Sequence, residues 1–348
     1  MLLPELYSSG FAFDSSMWAT AERLDDGPTR TWLCAQARRL RLHVGSSFLE
    51  AAGAHFFNTF VLAGPDGQVA GVVRKQTPAA LEAFFFAPGA PRGAEAHLIV
   101  CPALGGLRLL VGICYENALA YLARYAVEAR ADLLLMPHSC PPIEHVPQPV
   151  ADAFAATVAA LPRRYAQALG IPVVFCNKSG PFSASLLGVP SFSLRAPFLG
   201  LSSIVDADGS QLAPPCAAEN CVVLGTVRIP PPGACCRSAF AAAQPAAARW
   251  YRKHSPLAPY PALIRATFAV DEAVGGLWYR CSRTRRRLAL QASGLPADWV
   301  AVPPLLSAQV HPALTTMVLG GAAVLALALG RAALRGALWG ARAHAPQL

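Results

Sequence analysis

Apolar and polar positions along the chain fall into short blocks whose spacing separates strands from helices. Residues 56–76, "FFNTFVLAGPDGQVAGVVRKQ", place two β-branched runs around Gly64-Pro65-Asp66-Gly67, which predicts a hairpin. Ahead of it, "RLRLHVGSSFLE" is another strand-like run, and the opening "MLLPELYSSGFAF" reads as the end of a strand running into a turn. Further on, "LRLLVGICYEN" is a continuous apolar run, "ALAYLARYAVEARA" has helical spacing, and "DLLLMP" is apolar again. Strand, helix and strand in that order predict a βαβ unit, which requires a parallel pairing with both sheet faces covered. The helix "ADAFAATVAALPRRYAQALG" and the run "IPVVFCNKSG" predict a second such unit, and "SSIVDADGSQLA" into "CVVLGTVRIP" predicts a closing hairpin.

From Pro230 the texture becomes rich in proline and alanine, so residues 1–250 are read as the compact domain. Residues 251–312 form a basic extension without a clear pattern, 313–334 a candidate transmembrane helix, and 335–348 a short basic tail. The stretch from Ala313 to Gly330 carries 18 uncharged residues, enough for a bilayer core of about 17 to 25, although a buried or dimer-packing helix fits the same composition. Membrane association through this single C-terminal segment is therefore expected, with the side occupied by the main domain left open. Arg331, Arg335 and Arg342 on its far side favour a cytosolic C-terminus, whereas a tail anchor without a signal peptide would leave the domain itself cytosolic. The ending "RAHAPQL" does not suit a lipid-anchor signal.

Charge sharpens this division. The net charge is +9, yet from Arg249 onward there are 12 Lys/Arg against Asp271, Glu272 and Asp298, so the whole excess lies in that part. A near-neutral body has no phosphate-binding stripe and argues against nucleic acid, while the basic part suits anionic lipid. Ten cysteines include no Cys-x2-Cys pair, so no zinc ribbon or other metal-ligand spacing is present. Cys216, Cys221, Cys235 and Cys236 could bridge in an oxidising compartment, with buried thiols the favoured reading.

Four segments carry candidate chemistry: "LPELYSSGF", "RKQTPAALEAFFFAPG", "VGICYEN" and "ADLLLMP". In this order they resemble the nitrilase superfamily of carbon-nitrogen hydrolases. The resemblance covers residues 2 to 230, with "FFNTFVL", "IPVVFCNKSG" and "LSSIVDADG" also matching in order and spacing. It implies an α/β fold, a four-layer α-β-β-α sandwich, here apparently without the first strand and helix that usually precede the first glutamate. An incomplete gene model would explain that start. On the matching positions, Cys114 is the implied nucleophile, Lys75 the lysine, and Glu5 and Glu82 the two glutamates. Arg124 falls ten residues beyond the cysteine, on the following helix.

The residue types answer a chemical need. A thiol with a pKa near ~8.5 is only slightly ionised at neutral pH, and a neighbouring carboxylate disfavours the thiolate further. Lys75 would offset this and would face the developing oxyanion, with the backbone N–H of Tyr115 as a second donor. Glu5 would move protons, Glu82 would orient Lys75, and Glu116 reads as a supporting carboxylate. A cysteine at a strand-to-helix junction would also feel helix N-terminal amides. His138 and Asn177 are candidates for the substrate pocket, Cys140 is a weaker one, and Asn177 could instead cap a turn. Phe56-Phe57 and Phe84-Phe85-Phe86 read as core.

The implied activity is hydrolysis of a non-peptide C–N bond, in a small amide before a nitrile, through a cysteine thioester and without a cofactor. Two alternatives remain: an N-acyltransferase using the same cysteine, and a catalytically silent, membrane-tethered binding or scaffold module. A homodimer is implied by the resemblance alone. A Cys-His protease is disfavoured, because none of the eight histidines has a context that singles it out.

Overall fold

Strand alternation sorts the side chains into layers. In β2 (His55–Ala63), Phe60 and Leu62 enter one apolar cluster, while Val61 and Ala63, one residue out of phase, enter another. The second cluster joins β1 (Val44–Ala52) and β2 to α1 (Pro28–Leu40) through Val44, Phe48, Leu33 and Ala37. The first joins β2 and β3 (Val69–Arg74) to a second sheet through Val73, Ile99, Leu109 and Val111. The computed structural model describes residues 1–10, 15–143, 146–186, 189–216, 218–229 and 253–295.

That second sheet runs β10 (Ser203–Val205), β7 (Val173–Asn177), β6 (Leu133–His138), β5 (Leu107–Val111), β4 (Leu98–Cys101). β5, β6 and β7 are parallel, and the two edges are antiparallel. Leu110, Leu134, Met136, Val173 and Phe175 turn away from the first sheet and pack against α2 (Ala120–Glu128) and α3 (Gln148–Leu169). The order helix, sheet, sheet, helix is thus the four-layer sandwich that the sequence implied. Both βαβ units and the hairpin between β2 and β3 are present. β8 (Pro181–Leu186) and β9 (Val189–Pro197) form a separate ribbon. Residues 1–3 run beside β1, with Leu2 bridged in parallel to Gly45.

Two sequence expectations are corrected. "CVVLGTVRIP" makes no strand over residues 221–229, and Val222 and Leu224 are exposed. The reason is that the return from β10 occupies its free edge: Gln211 and Cys216 bridge Val205 and Ser202, and Leu212 N–H donates to Ile204 O at 2.9 Å. Cys216 and Cys221 form a disulfide rather than remaining thiols. Cys235 and Cys236 lie outside the described residues.

The basic segment beyond residue 250 is ordered where it is described. α4 (Ala262–Cys281) lies on the 3-10 turn Ala80–Phe84, and α5 (Arg283–Ala292) follows it. Contact with α4 is close enough that a Cβ on Gly275 would sit 2.7 Å from the Phe84 ring. Tyr279 Oη accepts from Phe56 N at 2.9 Å, Arg285 donates to Tyr279 O at 2.9 Å, and Trp278 stacks on Trp18. Arginines are as numerous as apolar residues on α5, which hides its amphipathic face in the sequence. Ala289 and Leu290 are nonetheless buried, and Arg285 itself is only 2% exposed. The candidate membrane helix at 313–334 lies outside the described residues, and no described helix is long and apolar enough to cross a membrane.

Phe60 is fully buried at the junction of the two sheets. Phe60→Ala is expected to lower unfolding stability by about 3–5 kcal/mol, read from the urea midpoint at unchanged slope.

Candidate active site

Three segments converge at one end of the two sheets. Val73 faces the second sheet, so Lys75, two residues on, points the same way. Lys75 N–H donates to Asn58 O at 2.9 Å, which sets Asn58 opposite it across the strand pair. The first turn of the chain brings Glu5 to both: Lys75 Nζ and Asn58 Nδ2 donate to Glu5 Oε1 at 2.8 and 2.7 Å. On the other side, Lys75 Nζ reaches Glu82 Oε1 and Oε2 at 3.0 and 2.7 Å. All three charged side chains are at least 98% buried. Glu5 Oε2 and His138 Nδ1 are buried without a hydrogen-bond partner.

Cys114 opens the 3-10 turn Cys114–Ala118 directly after β5, with φ +53°. Leu6 and Ala80, beside the two glutamate segments, also have positive φ, at +47° and +42°. Such backbone costs of order 1–3 kcal/mol in a residue with a Cβ and persists only where surroundings impose it. Glycine is needed at 112 for a different reason: a Cβ there would lie 2.3 Å from Asn117 Oδ1. The nearest α-helix, α2, begins at Ala120, six residues past the thiol, so the expected help from helix amides is replaced by a short 3-10 turn.

The turn is braced by Glu116, which is fully buried. Its Oε1 accepts from Gln76 N at 2.7 Å and Tyr121 Oη at 2.8 Å, and its Oε2 from Ile113 N at 3.1 Å. One carboxylate thus ties the residue after Lys75 to the residue before Cys114. Asn117 is a second brace, donating through Nδ2 to Gly112 O and Cys114 O at 2.7 and 3.0 Å, with His138 Nε2 2.9 Å from the same nitrogen.

Electrostatics follow from burial. Desolvation, then the charge of Glu5, push the Cys114 thiol well above its usual range, and the Lys75 ammonium works against them. Lys75 is held well above the ordinary lysine value, because Glu5 and Glu82 outweigh its desolvation. Desolvation pushes the Glu82 carboxyl up to about 7 despite Lys75. Desolvation and then Lys75 push His138 down to about 3, so its imidazole is neutral.

The structure therefore brings Glu5, Lys75 and Glu82 into direct contact, with Cys114 inside their field. The Tyr115 hydroxyl lies 3.0 Å from His254 Nε2 and its ring packs edge-on against Phe268. Asn177 is spent on the neighbouring loop, accepting from Cys140 N at 2.8 Å and donating to Cys140 O at 3.4 Å. These bonds are the ones its turn-fastening reading calls for. Arg124 is exposed and pairs with Glu128. Phe56 and Phe84 to Phe86 are core. Sequence reasoning missed Asn58, Asn117 and Lys178. Asn58 left a visible signal, a lone amide at an inward position of an apolar strand.

Replacing Glu116 by glutamine would aim an N–H₂ at a backbone N–H that now has an acceptor. Glu116→Gln is expected to cost about 2–3 kcal/mol by urea unfolding, more than an exposed charge removal would. For Glu82, a pKa raised from 4.5 to about 7 means that the folded state binds its proton more tightly than the unfolded one. Its contribution is complete below about 4.5 and is lost as pH climbs through about 7. The stability of the parent relative to Glu82→Gln should fall across that window and level off above it, measured by urea midpoints at several pH values.

Residues 1–229 match the carbon-nitrogen hydrolase family model. A carbon-nitrogen hydrolase from Helicobacter pylori G27 superimposes with a TM-score of 0.54 at 22% identity, covering 63% of this chain and 74% of that one. A protein of Pyrococcus abyssi (strain GE5 / Orsay) named nitrilase is 29% identical over 139 residues, which is 39% of this chain and half of that protein's length. With the sandwich formed and the family model matching residues 1–229, the chain belongs to the carbon-nitrogen hydrolase family.

Proposed function

We propose that this protein hydrolyses a non-peptide carbon–nitrogen bond through a thioester on Cys114. The observation that carries the reading is the buried ammonium of Lys75, clasped by Glu5 and Glu82 beside a cysteine at a strained turn. A buried ion cluster of this kind is weak evidence for a stabilising role alone, since desolvation of its charges offsets most of what the ion pairs return. At rest the thiol is neutral, so attack on a carbonyl carbon needs a base at that moment. Glu5 supplies it, with Oε2 left open.

In this reading the thiol proton passes to Glu5 as the sulfur–carbon bond forms. Lys75, together with the Tyr115 N–H, faces the oxyanion. Glu5 then gives its proton to the departing nitrogen as the C–N bond breaks. Water attacks the thioester, again losing a proton to Glu5, which returns it to the sulfur when the acid is released. Glu82 keeps Lys75 directed at the reacting carbon. Small amides are placed ahead of nitriles because amidase branches are the more widespread in the superfamily that the four segments resemble, and the name of the Pyrococcus abyssi relative keeps nitriles in the test.

Ammonia release from a panel of small primary amides and nitriles is expected from the full chain and is abolished in Cys114→Ala. Glu5→Gln should lower kcat by about 10² to 10⁴ and Lys75→Met by about 10² to 10³. Release no greater than that of Cys114→Ala across the panel, with Cys114 no more reactive to iodoacetamide than exposed Cys281, would leave a silent module instead.

A further inference from the structure

Lys178 stands on the loop after β7, outside the set of residues that the family resemblance singles out. Its backbone is fixed by Gly200 N–H, which donates to Lys178 O at 3.0 Å. Its Nζ donates to Leu6 O at 2.9 Å, and lies 5.7 Å from the Phe198 ring centroid. Leu6 is the positive-φ residue directly after Glu5 and is fully buried. Leu6 N–H donates to Ser47 Oγ at 2.8 Å, Tyr7 N–H to Ser47 O at 3.1 Å, and Glu5 N–H to His138 O at 3.2 Å. Lys178 thus bonds the backbone of this turn through a charged side chain, whereas Lys75 reaches the Glu5 carboxylate.

We infer that Lys178 is a positioning residue for Glu5: it clamps the strained Glu5-Leu6 turn and adds a second positive charge next to the residue that carries the carboxylate. The inference rests on the proposed role of Glu5 as the base for Cys114. Two cations then balance two carboxylates once Glu82 ionises above about 7, where Lys75 alone would leave one negative charge in excess. Such a charge would oppose the thiolate. The groups facing Glu5 are Lys75, Glu82, Cys114, Cys140 and Lys178, and the charge nearest the Lys178 loop apart from Glu5 is Glu219, against Gly180. Burial holds Lys178 down to about 8, with Glu5 working in the opposite direction, so it loses its charge within an accessible pH range.

The test is the rate of Cys114 alkylation by iodoacetamide from pH 6 to 10 in the full chain, in Lys178→Met and in Lys178→Arg. Peptide mass spectrometry resolves the site, and Cys281 on the same molecule serves as the internal standard. The parent should react about tenfold faster than Lys178→Met near pH 7, the effect of one nearby charge, and this ratio should shrink as pH passes about 8. Lys178→Arg, charged throughout, should gain on the parent over the same rise. Should Lys178→Met fail to fold, the arginine comparison alone decides. A parent-to-methionine ratio of one, or any ratio that does not change with pH, overturns the inference, as does an arginine variant that tracks the parent. Those outcomes leave the proposed function intact if Cys114 still outpaces Cys281, whereas an unreactive Cys114 in the parent removes both.

Discussion

A lysine ammonium with almost no contact with water is the constraint around which this end of the molecule is arranged. Lys75 survives burial because two carboxylates and a precise backbone register meet it. Removing a cation from water costs several kcal/mol even after relaxation, and only short, well-directed contacts recover it. The register of β2 and β3 therefore matters twice. It packs Phe60 against Val73 in the core, and one step further along it sets Asn58 against Lys75. Slipping that pairing by one residue would send the lysine to the α1 side.

The same burial decides the state of the neighbours. Cys114 remains a thiol and His138 a neutral imidazole because neither can be charged cheaply in this environment. The carboxylate of Glu116 and the Asn117 amide nitrogen fasten the turn, and Glu5 Oε2 and His138 Nδ1 are among the buried atoms without a hydrogen-bond partner in the described residues. Backbone strain follows the same division, since three of the positive-φ residues are Leu6, Ala80 and Cys114.

Much of this was legible in the residues. The alternation of Phe60, Val61, Leu62 and Ala63 announced a strand covered on both faces, and the runs around α2 announced parallel strands. The four site side chains were recognisable because reactive residue types stood in order beside strand ends. Asn177 was not separable from a substrate contact, because an amide after a strand looks the same whether it binds a ligand or its own loop. The segment at 221–229 failed for a related reason: strand propensity describes a side-chain pattern, but a strand forms only where a sheet edge is free.

The sequence by itself determined the layers and the identity of the chemical groups, since both depend on local pattern and residue type. Only the tertiary structure decided which groups meet: Glu5 with Lys75, Glu116 with both Gln76 and Ile113, Lys178 with Leu6, and α4 with the turn that carries Glu82. Those pairings span from three positions, between Ile113 and Glu116, to more than 170 along the chain. Its strength comes from excluded water and exact donor geometry, and neither exists until the two sheets have closed on one another.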